Sequence, residues 1–279
     1  MSIIRRVYQY GIAFVSLIML AIGLSGLGRV LVDVVTPVPG SAGRAVISGV
    51  RSDVTENAAL VIVGLPVWLL HWAMAGRTIR QDPQERAAAL RRLYVYAVLL
   101  VMALRWAFSA QDFLEVGFGF LLPAADATTP RQLLAPLPWL VVAAALWLYH
   151  RRVAIVDRRR AGEQGAAATL RRWYTYGLAF IGLAVLLNGA SGLLRLTWET
   201  VVASLSGTTV RTGGGAMAGA AATALVGLAL WLSHWGGWAV TGRGSRVERE
   251  RPTSGLPGSV VAPPTSPASP SAPPASGAV

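Results

Sequence analysis

Long apolar stretches separated by short charged segments run along most of this chain. Six stretches reach the roughly 20 residues that a helix needs to cross the hydrocarbon core of a bilayer. They cover 7–28, 57–76, 93–111, 132–150, 173–194 and 215–236. Only the third contains a charged residue, Arg105. The pattern therefore predicts an all-α integral membrane protein with six transmembrane helices.

Two short motifs recur where these helices begin and end. An Arg-Arg-x-Tyr-x-Tyr motif opens each odd-numbered helix, at 5–10, 91–96 and 171–176. A Trp-x-x-His motif closes each even-numbered helix, at 68–71, 147–150 and 231–234. We interpret the chain as three repeated two-helix hairpins, at about 1–80, 86–160 and 166–241. Because each hairpin has an even number of helices, all three share one orientation, and the simplest packing is pseudo-threefold about the membrane normal.

The basic residues are distributed unevenly between the two sides of the predicted helices. Of 25 basic residues, 18 flank the side that holds the N-terminus and the even-to-odd loops. The positive-inside rule then places both termini in the cytoplasm. The net charge of +12 therefore predicts contact with anionic lipid headgroups, and with a possible membrane or cytoplasmic protein partner, rather than with nucleic acid.

Composition refines this picture in three places. All the basic residues are arginine, and alanine and glycine are abundant, which is typical of a GC-rich bacterial genome and favours the bacterial cell membrane. The absence of cysteine excludes disulfides and thiolate chemistry. Residues 242–279 are rich in Pro, Ser and Ala, so we expect a disordered cytoplasmic tail after a membrane domain at 1–241.

The segment 64–72 reads Gly-Leu-Pro-Val-Trp-Leu-Leu-His-Trp. With the three Arg-Arg-x-Tyr-x-Tyr openings, it resembles an uncharacterised family of bacterial polytopic membrane proteins, domain of unknown function 5671. The resemblance covers the three hairpins but not the tail. It implies a bacterial membrane location and brings no known activity with it.

The three histidines are the first candidates for chemistry. In each hairpin a tryptophan precedes the histidine by three positions, so both lie on one helical face. The pairs are Trp68 and His71, Trp147 and His150, and Trp231 and His234. If those faces point inward, three imidazoles would share one depth and could bind a metal or haem or sense pH. Alternatively these side chains, with Tyr8, Tyr94 and Tyr174, are anchors at the membrane interface.

Charged residues within or beyond the third helix are the second candidates. A charge at the depth of Arg105 needs a partner or water, and Asp112, Glu115 or Asn188 could supply one. Such a pair would be structural or would line a solute or proton path. Arg29, Glu115 and Arg195 occupy corresponding outer positions in the three hairpins, which predicts either an outer ionic clasp or three solvated side chains.

The motifs of soluble enzymes are missing, including a nucleotide-binding glycine loop and a zinc-protease motif. We therefore expect no enzymatic activity, no cofactor and a structural, assembly or sensory role in the membrane. A small-solute or ion transporter with a path along the pseudo-threefold axis is the first alternative. A metal- or haem-binding subunit that uses the three histidines is the second.

Overall fold

A computed structural model describes residues 3–37, 44–121, 129–208 and 214–235, with side chains omitted for 44–47. These residues belong to the unit Met1–Ala239, and the predicted tail at 242–279 lies outside them. The described part is helical. Its helices are α1 (Ile3–Val35), α2 (Arg44–Gln81), α3 (Ala89–Leu121), α4 (Pro130–Leu134), α5 (Leu137–Ala161), α6 (Ala166–Ser206) and α7 (Gly214–Trp235), with a 3₁₀ turn at Pro83–Ala87.

Six helical spans are long and apolar enough to cross a membrane, which confirms the number predicted from the sequence. The fourth span, Pro130–Ala161, joins the short α4 to α5. Thr129 begins it with a capping box, in which its side chain and that of Gln132 each accept a hydrogen bond from the other's backbone N–H. The 41 residues of α6 extend about 60 Å, so its ends project beyond a hydrocarbon core of about 30 Å.

The six spanning helices pair as three antiparallel hairpins: α1 with α2, α3 with α5, and α6 with α7. Helix α3 lies at the centre and also contacts α1, α6 and α7. The most apolar part of α3 is 56% buried, against 11% for that of α2. Among the described helices, the first and third hairpins make no extensive contact with each other. The hairpins therefore form an open row instead of the closed pseudo-threefold ring that the repeats predict.

Glycines set the close approach of the helices in the first and third hairpins. A Cβ on Gly64 of α2 would lie 2.9 Å from the backbone nitrogen of Leu20 on α1. A Cβ on Gly227 of α7 would lie 2.7 Å from the Cα of Leu186 on α6. Neither distance is compatible with a side chain, because the neighbouring atoms belong to the backbone. Both glycines stand seven residues before their hairpin's histidine. The close approach of the two helices therefore falls at the same repeat position in both hairpins.

The second hairpin carries slightly larger residues at the corresponding positions. Ala143 stands seven residues before His150 and is fully buried. Ser109, also buried, stands 18 residues after its opening arginine, as Gly23 and Gly189 do in the other hairpins. The second hairpin therefore packs α3 against α5 without glycine at these two positions.

Replacement of Gly189 by alanine should separate α6 from α7. A Cβ at Gly189 would lie 2.7 Å from the Cα of Ala224 and 2.9 Å from the backbone oxygen of Ala220. We expect Gly189→Ala to lower the free energy of unfolding by about 1–3 kcal/mol, measured by chemical denaturation in detergent. Gly177→Ala on the same helix is the control, because nothing lies within 4 Å of its added Cβ. Equal effects of the two substitutions would contradict the close crossing.

Candidate functional site

One end of the bundle gathers most of the motif residues. Helices α1, α3 and α6 begin there with their Arg-Arg motifs, and the Trp-x-x-His motifs of α2, α5 and α7 lie near the same end. The side chain of Gln9 on α1 joins the two sets by donating a hydrogen bond to the backbone oxygen of His71 at 3.2 Å. We call this the arginine end. It contains the candidate site.

Tyr94 lies at the centre of the first cluster at the arginine end and is only 3% exposed. Its hydroxyl accepts a hydrogen bond from the indole N–H of Trp68 at 3.1 Å. The same hydroxyl lies 3.2 Å from Nε2 of His150, whose Nδ1 is 2.8 Å from the carbonyl oxygen of Leu146. Since Nδ1 faces an acceptor, it carries the proton, and Nε2 accepts from the tyrosine. The cluster thereby joins α2, α3 and α5 with every polar atom partnered.

Tyr174 lies in a second cluster of the same design. The indole N–H of Trp147 donates to its hydroxyl at 3.1 Å, and Nε2 of His234 lies 3.4 Å away. Nδ1 of His234 lies 3.0 Å from the carbonyl oxygen of Leu230. In both clusters the tryptophan comes from the preceding hairpin, whereas the histidine belongs to the tyrosine's own hairpin. The clusters therefore fasten each hairpin to the next one.

The corresponding residues Tyr8, His71 and Trp231 are not assembled in this way. The rings of Tyr8 and His71 are 6.2 Å apart, and Tyr8 is 64% exposed. Nδ1 of His71 lies 2.8 Å from the backbone oxygen of Val67. Trp231 lies on the third hairpin and stacks on Trp235, with ring centres 6.1 Å apart. The two halves of this cluster lie on hairpins that make no extensive contact.

The predicted ring of three histidines is not formed. Each imidazole packs against the tyrosine of its own hairpin, at ring-centre distances of 5.7 Å for His150, 5.6 Å for His234 and 6.2 Å for His71. Within the described ranges, no group of three His, Asp or Glu side chains is placed to hold a metal ion. The tyrosines predicted as interfacial anchors pack against the histidines, and Trp68 and Trp147 donate hydrogen bonds to two of these tyrosines.

A buried carboxylate organises the ionic contacts at the arginine end. Asp157, on α5, is 1% exposed and lies 3.0 Å from a terminal nitrogen of Arg86 and 2.7 Å from Nε of Arg91. Arg91 also lies over the ring of Trp72, 5.0 Å from its centre, which adds a cation–π contact. Asp157 thus ties the loop before α3, the start of α3 and the end of α5 together.

Two glutamates make the other ion pairs at this end. Glu85, in the 3₁₀ turn, pairs with Arg6 of α1 at 2.5 Å. Glu163, which follows α5, pairs with Arg171 of α6 at 2.6 Å and accepts a hydrogen bond from the Tyr96 hydroxyl at 2.8 Å. Each glutamate therefore connects a hairpin to the linker beside it.

None of these three carboxylates belongs to a motif that predicts a site. Asp157 carried a signal, since it is the one acidic residue in the stretch 151–160, which has five arginines. A lone acid among many bases is typical of a fixed ion pair. The sequence could not indicate which arginines it would face, because Arg86 and Arg91 are more than 60 residues away along the chain.

The polar residues predicted to meet inside the membrane or at its outer face lie apart. Arg105 lies over the ring of Trp139, 4.4 Å from its centre, and pairs with neither Asp112 nor Glu115 in the described residues. Both of those carboxylates are exposed, and so is Asn188. A cation–π contact with tryptophan is worth about 0.5–2 kcal/mol. It takes the place of the predicted ion pair.

The predicted outer clasp is also absent among the described residues. Arg195 pairs with Glu199 one turn along its own helix at 3.1 Å. Arg29 is exposed, and Glu115 faces Gly219 of α7. An ionic contact across the opposite end joins Arg131 to Asp33 at 2.9 Å.

The fold and the site together define a multi-pass membrane protein whose helical hairpins are joined by tyrosine-centred clusters and buried ion pairs at one end. Comparison with protein families gives a more specific placement. The chain belongs to the family described as Domain of unknown function (DUF5671), which matches residues 6–135, 106–195 and 172–257. The resemblance seen in the sequence is thereby confirmed. No curated protein and no solved structure matches the chain.

Neutralising Asp157 should destabilise the bundle strongly. Asp157→Asn removes the charge that Arg86 and Arg91 share and leaves two arginines at least partly buried without it. We expect the free energy of unfolding to fall by about 3–5 kcal/mol, measured by denaturation in detergent. The control is Asp33→Asn, whose ion pair with Arg131 is much more exposed and should be worth at most about 1 kcal/mol. A loss at Asp157 no larger than that at Asp33 would be incompatible with this account.

Proposed function

We propose that this protein is a non-enzymatic structural or assembly component of the bacterial cytoplasmic membrane. The titratable side chains at the arginine end support this role, because they hold the helices of the bundle together. His150 and His234 contact the tyrosines of their own hairpins, and Asp157 joins α5 to arginines of α3 and of the 3₁₀ turn before it. Groups engaged in this way fix the geometry of a bundle and leave little freedom for acid–base chemistry. The proposal includes no cofactor.

The observation that carries the proposal is the division of the arginines at this end into two sets. The first set is at least partly buried and bonded within the protein. It comprises Arg6, Arg86, Arg91, Arg92 and Arg171. The second set is exposed and has no ion pair within the described residues. It comprises Arg77, Arg80, Arg152, Arg158, Arg159, Arg160 and Arg172. The second set forms an electropositive rim, which we call the arginine rim.

Anionic lipid headgroups are the partner that the arginine rim fits best. The rim surrounds the ends of helices that cross the membrane, at the depth where headgroups lie. Each arginine near an anionic surface contributes about 1 kcal/mol of attraction. Arg158, Arg159 and Arg160 form the last turn of α5, where their positive charges also complement the negative end of the helix dipole. A protein partner with an acidic surface would use the same contacts.

The proposed orientation places the arginine rim and both termini in the cytoplasm. The positive-inside rule supports it, since the rim holds most of the unpaired positive charge near the membrane. The three hairpins are proposed to be copies of one unit. The glycine positions shared by the first and third hairpins, the two matching tyrosine clusters and three overlapping matches to one family support that origin.

Labelling of single cysteines tests the orientation, since the native chain has no cysteine. Arg159→Cys lies in the rim and Arg51→Cys lies on an exposed part of α2 beyond the predicted span. With a membrane-impermeant maleimide, we expect intact spheroplasts to label position 51, and position 159 to react only after lysis. The reverse pattern would contradict the proposed orientation. Labelling of both positions after lysis is the control for reactivity.

Lipid retention tests the role of the arginine rim. We expect the triple substitution of Arg158, Arg159 and Arg160 by glutamine to weaken phosphatidylglycerol binding by up to about a hundredfold, because three contacts of about 1 kcal/mol are lost. Native mass spectrometry of the protein released from phosphatidylglycerol nanodiscs measures the retained lipid. The matched control replaces Arg29, Arg51 and Arg195, which are exposed but not consecutive, and of which Arg195 is already paired. Equal lipid loss in both triple variants would overturn the proposal.

A further inference from the structure

The two complete tyrosine clusters agree closely in the contacts that join one hairpin to the next. Tryptophan donates to tyrosine at 3.1 Å in both. A second tyrosine from the preceding hairpin lies beside each central ring: Tyr10 beside Tyr94 at 5.8 Å and 34°, and Tyr96 beside Tyr174 at 5.7 Å and 33°. This agreement indicates that the motif residues themselves specify how one hairpin joins the next. We call this arrangement the hairpin junction.

The first hairpin presents one half of a junction. Tyr8 stands where Tyr94 and Tyr174 stand in their motifs, and it packs against His71 as they pack against their own histidines. No tryptophan donates to the Tyr8 hydroxyl among the described residues, and Tyr8 is 64% exposed compared with 3% for Tyr94. The first hairpin thus supplies the tyrosine and histidine of a junction, but no tryptophan of another hairpin completes it.

The third hairpin presents the other half. Trp231 stacks on Trp235 at 6.1 Å, much as Trp68 stacks on Trp72 at 6.5 Å. The indole N–H of Trp68 reaches a tyrosine, whereas that of Trp231 has no acceptor within the described part of the chain. Trp235 is 60% exposed. The third hairpin therefore supplies the tryptophan of a junction, but no tyrosine of a following hairpin accepts its hydrogen bond.

We propose that the third hairpin of one copy binds the first hairpin of a second copy, with Trp231 donating to the hydroxyl of Tyr8 in a third hairpin junction. The two halves do not meet within one chain, because the first and third hairpins make no extensive contact. Apolar exposure alone would indicate only lipid, which covers such surfaces in any membrane protein. The unmatched donor on Trp231 and the unmatched acceptor on Tyr8 specify which hairpin of each copy takes part and which residues meet.

This contact is head to tail, so it uses different surfaces on the two copies. Such heterologous contacts close into rings when the rotation between copies allows it and otherwise continue as open assemblies. The inference goes beyond the proposed function, since it names a second copy of the chain as a partner. It involves none of the rim arginines, so the cross-linking test and the lipid-retention test can fail independently.

Directed cross-linking between two differently tagged variants tests the contact. One variant carries Tyr8→Cys and the other Trp231→Cys, and the chain has no other cysteine. A flexible bis-maleimide is needed, because tyrosine and tryptophan hold the two backbones further apart than the roughly 7 Å that a disulfide spans. We expect a covalent dimer containing both tags in co-expressing membranes, and little product from either variant alone.

A control within the chain calibrates the chemistry. A variant carrying both Trp68→Cys and Tyr94→Cys places the same reactive pair at a junction that is already formed. It should cross-link intramolecularly. If this control reacts and the Tyr8 and Trp231 variants give no mixed dimer, the proposal is wrong. A dimer from Tyr8→Cys alone would indicate a face-to-face contact and would also overturn it. The proposal would also be overturned if a single chain carrying both Tyr8→Cys and Trp231→Cys formed an intramolecular link that does not depend on protein concentration.

Conservative substitutions provide a second measurement that does not depend on cross-linking. Tyr8→Phe and Trp231→Phe each remove one partner of the proposed hydrogen bond, and each should weaken self-association about fivefold. Sedimentation of the detergent-solubilised protein gives the distribution of oligomers. Trp198→Phe is the matched control, because Trp198 is also exposed, at 69%, but lies on the far part of α6. Unchanged association in the Tyr8 and Trp231 variants would contradict the junction.

Discussion

A polar side chain inside a membrane-spanning bundle has to find its partner within the protein, because lipid offers none. In this chain the partner of a buried polar group comes either from its own hairpin or from the neighbouring one. Asp157 receives the charges of Arg86 and Arg91 within the second hairpin, whereas Tyr94 receives its hydrogen bond from Trp68 of the first. Without the first hairpin, the Tyr94 hydroxyl would lose its indole donor. The junction between these two hairpins depends on that contact.

The middle hairpin packs against both of the others. Helix α3 contacts helices of all three hairpins, and its two opening arginines are almost completely buried, at 4% exposure for Arg91 and none for Arg92. Arg92 reaches the backbone oxygens of Arg86 and Gly162 at 3.0 and 3.1 Å. The outer hairpins instead use glycines to bring two helices close together. One repeated motif therefore supports two kinds of packing, which depend on the neighbours that each copy has.

Charged side chains differ in burial between the two ends of the bundle. At the arginine end, Glu85 and Asp157 are buried and the side chain of Glu163 is 8% exposed. These three acids neutralise the inner arginines and leave the rim positive. At the opposite end, the contacts are more exposed, as in the pair between Arg131 and Asp33. Arg105 lies between these regions and packs on Trp139. Buried ion pairs are thus concentrated at the arginine end.

The sequence by itself determined the six membrane helices, the hairpin order and the family, because hydrophobic length and recurring motifs are local properties of a chain. It also identified the tryptophans, tyrosines and histidines that form the clusters. Only the tertiary structure decided that Tyr94 joins Trp68 to His150, that Arg105 faces Trp139 and that the hairpins form an open row. These outcomes depend on which helical faces meet. The sequence does not specify those faces, since the apolar helices can turn many sides toward lipid at similar free energy.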